Sequence, residues 1–193
     1  VLYFRESQLW TAVLGDSRAV AGIETAVDGI GVVLEAHRLT EDQKPEDPAE
    51  EARILAAGGY VGDGRVWLCK DSEEGGLAVS RAFGDHMFSK AGIVAEPVIT
   101  EHTVRLPETK CIVVASDGLW EFVEDQEAIN IVSGYPSASR AAAALLAEAK
   151  ARWKKKGGGY RDDITIGVLY LPLWRKEVVA APEQSPVAAP AAG

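Results

Sequence analysis

The chain has 193 residues, 47% of them apolar and 25% charged, which suits one globular domain with volume for a full core and excludes a disordered or fibrous chain. With 20 Lys+Arg against 29 Asp+Glu the formal charge is -9, which argues against nucleic acid as a partner. The longest apolar run, Ala141 to Ala147, is far short of the ~18 residues of a membrane span, and no charged start precedes an apolar block, so no membrane partner is expected.

Two cysteines, Cys69 and Cys111, are too few and too scattered for a disulfide framework or a zinc knuckle. The expectation is a reducing, intracellular compartment, cytoplasmic or nuclear. The chain opens at Val1 inside a strand-like run and its single methionine is Met87, so it is read as a piece of something longer.

In chain order, Val1 to Phe4 and Gln8 to Val13 predict a hairpin around the polar turn Arg5-Glu6-Ser7. Asp47, Pro48 and Glu50 supply a capping carboxylate, a first-turn proline and a reciprocal glutamate ahead of Ala52, Ile54, Leu55 and Ala56, and Gly58-Gly59 supplies a left-handed stop. Cys111 to Ala115 reads as a buried strand that delivers Asp117 at its exit. Asp125 to Val132 predicts a short helix. Ser137 caps a long one reaching about Lys155, with Leu146 and Trp153 on its inner side and Gly157-Gly158-Gly159 after it. Ile164 to Leu171 alternates as a strand entered through Arg161-Asp162-Asp163. From Glu177 the chain has no period, so it divides into a domain over 1–173 and a disordered Ala/Pro-rich tail over 174–193. Strands outnumber helices and come in runs, which predicts α+β with antiparallel sheet.

Nucleophile motifs are absent. There is no phosphate-cradling G-x-x-x-x-G-K-S/T, no arginine six positions after either cysteine, no G-x-S-x-G and no H-E-x-x-H. His37, His86 and His102 are isolated and read as surface residues. What stands out is the placing of Asp16, Asp85, Asp117 and Asp162, each abutting an apolar segment. A carboxylate there is costly unless hydrogen-bonded, paired or bound to a cation, and hard oxygen ligands suit magnesium or manganese rather than zinc. A lone Asp-Gly is more simply a turn former, and for Asp16 that reading stands, with an internal contact to Arg18. Lys154-Lys155-Lys156 reads first as a helix-end cluster complementing the dipole, and second as a dock for phosphosubstrate or lipid.

Five segments in order, LWTAVLGDSRAVAG from Leu9, LTEDQKPEDPAEEARILAAGGYV from Leu39, GLAVSRAFGDHMFSKAGIVAEP from Gly76, IVVASDGLWEFVEDQEAINIV from Ile112 and RDDITIGVLYL from Arg161, resemble successive blocks of the protein phosphatase 2C family. These are the metal-dependent serine/threonine phosphatases. The resemblance implies two packed antiparallel sheets flanked by α-helices, an αββα sandwich, with two Mg2+ or Mn2+ ions at one end. It implies that Asp117 and Asp162 bind one metal and that Asp85 helps hold a further, weaker one. Asp16, Arg18 and Asp163 become supporting positions around these ligands, and no residue of this chain is assigned a catalytic role beyond metal binding. Asp163 stands where the family usually has asparagine, and Gln43 where it usually has histidine.

The family's first blocks, with the bridging aspartate and a phosphate-binding arginine, do not occur in this chain, so the N-terminal part of the domain is expected to be missing. Leu2, Tyr3, Phe4, Leu9 and Trp10 are then expected to lose cover, and the chain alone to be inactive. The function implied for the intact parent is hydrolysis of phosphoserine and phosphothreonine on proteins, by a monomer acting on a phosphoprotein partner. The alternatives are a pseudophosphatase or regulatory binding module that keeps the fold without turnover, and a structural ion-binding domain that needs only Asp117 and Asp162. A candidate substrate loop runs from Gly84 to Gly92, with Met87, Phe88 and Lys90.

Overall fold

Strand alternation at the start of the chain becomes a hairpin in a computed structural model, which describes residues 1–72 and 75–171. β1 (Leu2–Arg5) and β2 (Gln8–Val13) pair antiparallel, with Glu6 turning the chain at a φ of 57°. Leu9, Thr11 and Val13 face inward along β2 and are buried. The expected exposure of this hairpin therefore holds for Tyr3 and Phe4 but not for Leu9, which is fully covered, while Leu2 and Trp10 are half-buried.

β3 (Arg18–Val27) and β4 (Gly31–Arg38) form a long second hairpin. Ala19 to Gly22 is buried on both faces of β3, so the sequence shows a run of small residues there rather than an alternation. α1 (Pro48–Ala56) ends as predicted. Gly58 takes a φ of 90°, its N–H reaches the Leu55 carbonyl and that of Gly59 reaches the Ile54 carbonyl, the paired bonds of a Schellman stop. Its start differs from the expected reciprocal cap. The Asp47 carboxylate accepts from the Lys44 N–H, outside the helix, and Glu50 turns away to Ser80 and Arg81, because two arginine bonds are stronger than one backbone bond.

A small hairpin, β5 (Tyr60–Gly62) and β6 (Arg65–Trp67), follows, then a 3-10 turn over His86–Ala91. Within it Phe88 is buried and Met87 is exposed. β7 (Val98–Thr103), β8 (Thr109–Ala115), the single turn α2 (Asp117–Trp120), α3 (Asp125–Ser133), α4 (Ala138–Lys156) and β9 (Ile166–Tyr170) complete the described chain. Ser137 caps α4 as expected, accepting from the Arg140 N–H at 3.4 Å. Its inner stripe is Ala141, Leu145, Ala149 and Trp153; the expected Leu146 is only half-buried, since a spacing of four keeps the stripe on one face. The expected tail over 174–193 lies outside the described residues.

The strands assemble as β1-β2-β7 and β4-β3-β8-β9, two antiparallel sheets as expected. Leu9, Ala19, Ala21, Leu39, Val104, Ile112 and Leu171 join β2 to the face of the four-stranded sheet that points at it. The opposite face, Val20, Cys111, Val113 and Ala115, packs under α2, α3 and α4. Gly22 allows that close approach, since a Cβ there would lie 2.7 Å from the Cys111 Sγ. A third cluster of Ile54, Val66, Phe88, Ala91 and Ile93 ties α1, β6 and the 3-10 turn together. Both cysteines are free, Cys69 exposed and Cys111 buried.

Candidate functional site

Register decides where the aspartates meet. On β8, Ala115 pairs with Arg18 of β3 on one side and with Ile166 of β9 on the other. The turn before β3, the exit of β8 and the entrance of β9 therefore open at the same end of the sheet, and they carry Asp16, Asp117 and Asp162. Ser116 closes the last two together. Its N–H donates to the Thr165 carbonyl at 3.1 Å, its hydroxyl donates to the Asp163 carbonyl at 3.1 Å, and the same oxygen accepts from the Thr165 N–H at 3.1 Å. Gly118 is required by that closeness, because a Cβ at this position would run into the Asp163 carbonyl. Trp120 donates from Nε1 to the Ala115 carbonyl at 3.0 Å and Trp153 to the Gly118 carbonyl at 2.7 Å, so α2 and α4 clamp the turn from the helical side.

Asp117 is pushed above the usual carboxylate range, first by burial and then by the charges of Asp16 and Asp162; the Gly118 amide and Lys44 offset part of this. Asp162 accepts from the Asp163 N–H at 2.7 Å through Oδ1. Tyr160 is exposed at the same mouth, and its phenol is pushed up by the charge of Asp162 first, then by burial and a hydrogen bond to Asp162. Asp163 contributes its backbone at both of these joints.

Asp16 does not contact Arg18, contrary to the expected internal pair. Asp16 meets Lys44 Nζ at 2.5 Å. Arg18 points to the helical side, donating to Asp42 from Nε at 3.0 Å and Nη2 at 2.5 Å, and to Asp125 from Nη1 at 2.6 Å, with its guanidinium 5.2 Å from the Trp120 ring centre. The reason is the strand period: Arg18 lies on β3 proper and must leave it sideways, whereas Asp16 sits in the turn. Gln43 fixes that turn. Buried, it accepts from the Gly15 N–H at 2.9 Å through Oε1 and donates from Nε2 to the Val13 carbonyl at 3.2 Å.

Asp85 stands apart from these interactions. It is exposed, holds a left-handed φ of 48° and precedes the 3-10 turn. Among the described residues no three His, Cys, Asp or Glu side chains form a group able to hold a metal ion by themselves. The donor chemistry of Asp117 and Asp162 nevertheless fits a hard divalent cation as part of a larger ligand set, since the crowding of like charges on Asp117 is what a cation relieves.

Sequence reasoning missed the anchor of the Ser80-Arg81 segment. Glu50 is buried at 6% exposure and accepts from Ser80 Oγ at 2.6 Å and from Arg81 Nη2 and Nε at 2.6 and 2.9 Å, with Arg53 Nη1 at 2.8 Å. Arg81 chiefly, against the effect of burial and helped by Ser80 and Arg53, holds its carboxyl down at about 2. The signal in the sequence was a glutamate on the apolar side of a helix three residues before an arginine.

Comparison with known proteins places this geometry. Residues 1–156 match the family model described as Protein phosphatase 2C. The chain is 39% identical over 171 residues to "Probable protein phosphatase 2C 73" of Arabidopsis thaliana, covering 84% of this chain and 44% of that protein. It is 37% identical over 162 residues to "Probable protein phosphatase 2C 48" of Oryza sativa subsp. japonica, covering 80% and 45%. The chain thus spans less than half the length of these curated relatives. Among solved structures, serine-threonine phosphatase 2C from Toxoplasma gondii superposes with a TM-score of 0.72 at 25% identity, over 88% of this chain and 56% of that one. A sex determining protein of C. elegans shares the fold, with a TM-score of 0.63 at 19% identity over 84% and 36%.

Proposed function

Because the chain belongs to the protein phosphatase 2C family, we propose that the whole protein hydrolyses phosphoserine and phosphothreonine on other proteins with magnesium or manganese as its cofactor. The observation that carries this reading is the meeting of Asp117 and Asp162 at the aligned mouths of β8 and β9, with like charge crowding Asp117.

A divalent cation supplies, when bound, charge neutralisation at phosphoryl oxygens and a more acidic water at neutral pH. Asp117 and Asp162 would hold it through carboxylate oxygens, with Asp85 the candidate for a further, weaker ion. Ser116 and Gly118 keep the two ligands at a fixed separation by locking the strand mouths together. Trp153 and Trp120 tie α4 and α2 to the turn from the helical side. Lys44 and Gln43 hold the Asp16 turn in place beside them. A covalent thiol route has no support from Cys111, which is buried in β8 with its thiol pushed up to about 11 by burial.

The test is phosphate release from a phosphothreonine peptide by the full-length protein with manganese, repeated in excess chelator and with Asp117→Asn and Asp162→Asn. Loss in all three is expected. Activity that persists in chelator overturns the metal dependence, and near wild-type turnover of either variant at saturating manganese overturns the ligand assignment. A second reading is a non-catalytic phosphopeptide-binding module that keeps the fold without turnover. It predicts peptide binding without phosphate release in the same samples.

A further inference from the structure

The end of α4 borders the site. The Trp153 indole, donating to the Gly118 carbonyl at 2.7 Å, fixes the last turn of the helix against the residue that follows Asp117. That turn carries Lys154, Lys155 and Lys156, all exposed, and beyond the glycines Arg161 is exposed immediately before Asp162. From Lys150 to Arg161 the chain contains no acidic residue, in a protein whose formal charge is -9.

Helix capping does not account for all of this charge, since the dipole acts only within the last turn and one or two cations answer it. Arg152, one turn earlier, shows how the fold neutralises a cation it needs for packing: it meets Glu127 and Glu148 at 2.7 Å each. Among the described residues no ion pair takes Lys154, Lys155 or Arg161. Aromatic contacts hold the chain on either side of these cations. Phe122, Trp153 and Tyr160 meet edge to face at 4.7 and 5.7 Å, and Lys156 Nζ lies 5.6 Å from the Phe122 ring centre.

We propose that Lys154, Lys155 and Arg161 form a docking surface for acidic residues flanking the phosphorylated residue, so that the preferred substrates are phosphoprotein segments rich in Asp, Glu or further phosphate. This rests on the phosphatase reading above and names its substrate class. An extended peptide advances ~3.3 Å per residue, so side chains one or two positions from the phosphoresidue lie about 3 to 7 Å along the chain from it, inside the ~8 Å over which exposed charges are felt at physiological salt. An anionic membrane fits less well. Surface helices bind lipid by burying an apolar face, and the apolar face of α4 is already packed under the sheet.

The experiment uses the full-length protein and the charge-swapped variant Lys154→Glu/Lys155→Glu, which leaves Lys156 on Phe122. Two phosphothreonine peptides of equal length, one flanked by glutamates and one by lysines, are compared with p-nitrophenyl phosphate, and binding of the acidic peptide is followed separately by fluorescence anisotropy. Wild type should prefer the acidic peptide roughly 3- to 20-fold through KM, as expected for two or three exposed charge pairs, and lose the preference in high salt. The swap should abolish it while p-nitrophenyl phosphate turnover stays within about twofold. If the swap fails to fold, Lys154→Gln/Lys155→Gln takes its place. Equal use of the two peptides by wild type, or a preference that survives the swap, overturns the proposal. So does patch-dependent binding to phosphatidylserine vesicles with unchanged peptide kinetics. If wild type with manganese hydrolyses no substrate at all, the phosphatase reading has failed, and anisotropy still decides whether the patch docks acidic peptide.

Discussion

Glu50→Gln isolates the charge of a side chain that sequence reasoning took for a helix cap. The glutamine keeps the volume and one acceptor oxygen but gives up the ion pairs with Arg81 and Arg53, at 2.6 and 2.8 Å. In the native protein the carboxyl is held at about 2 against an ordinary 4.5, chiefly by Arg81 and in spite of burial. At ~1.4 kcal/mol per unit, that depression corresponds to about 3 kcal/mol of stability. Because the folded value is the lower one, the contribution is complete above the unfolded pKa of 4.5 and is lost as pH falls through it toward about 2. Urea denaturation of both proteins from pH 7 downward should show the variant less stable by about 2–3 kcal/mol at neutral pH, or about 5–10 °C in Tm for a domain of this size. The gap should narrow below pH 4.5 and close near 2. A difference under ~0.5 kcal/mol at pH 7, or one that stays constant with pH, would refute the account, since that is the range of an ordinary surface substitution.

Removing one crowded charge should have the opposite effect on the apo protein: Asp117→Asn or Asp162→Asn lowers turnover by roughly 100-fold or more, while the metal-free melting temperature holds or rises, as calorimetry with chelator can check. Asp163→Asn, which leaves both backbone joints in place, should change turnover little. Gly118→Ala should cost about 2 kcal/mol or more by driving a Cβ into the Asp163 carbonyl, read as a lower denaturation midpoint together with weaker manganese binding. Iodoacetamide should add one group to the native chain, at exposed Cys69, and a second only after denaturation exposes Cys111; activity that is lost with the first adduct would implicate Cys69 in the site.

What the sequence made legible follows from which patterns are local. The β1-β2 hairpin, α1, β8, α3 and α4 each announce themselves through alternation, a cap or an apolar stripe within ten or so residues. β3 and β4 do not, because Ala19 to Gly22 is covered on both faces and its small residues resemble neither a strand nor a helix. The aspartates could be picked out singly, but their meeting depends on the register of β8 with β3 and β9, which no local pattern contains. The same limit explains the two misassigned partners. Glu50 and Arg18 each have a plausible neighbour in sequence, yet each is satisfied chiefly by residues 24 or more positions away, Arg81 for the one and Asp42 and Asp125 for the other.

The partition of positive charge at the strand mouths gives the site its character. Arg18 lies two positions after Asp16 and would be the obvious counter-ion, but Asp42, Asp125 and the Trp120 face hold it on the helical side, where it ties β3 to the start of α3. Lys44, paired with Asp16, offsets part of the charge that Asp16 and Asp162 impose on Asp117. Arg18 is thus kept off Asp117 and Asp162, and the like charge on Asp117 remains at the point where Ser116 and Gly118 hold the two strand mouths together. On the proposed phosphatase reading, a divalent cation held there would be bound more tightly for the repulsion it removes.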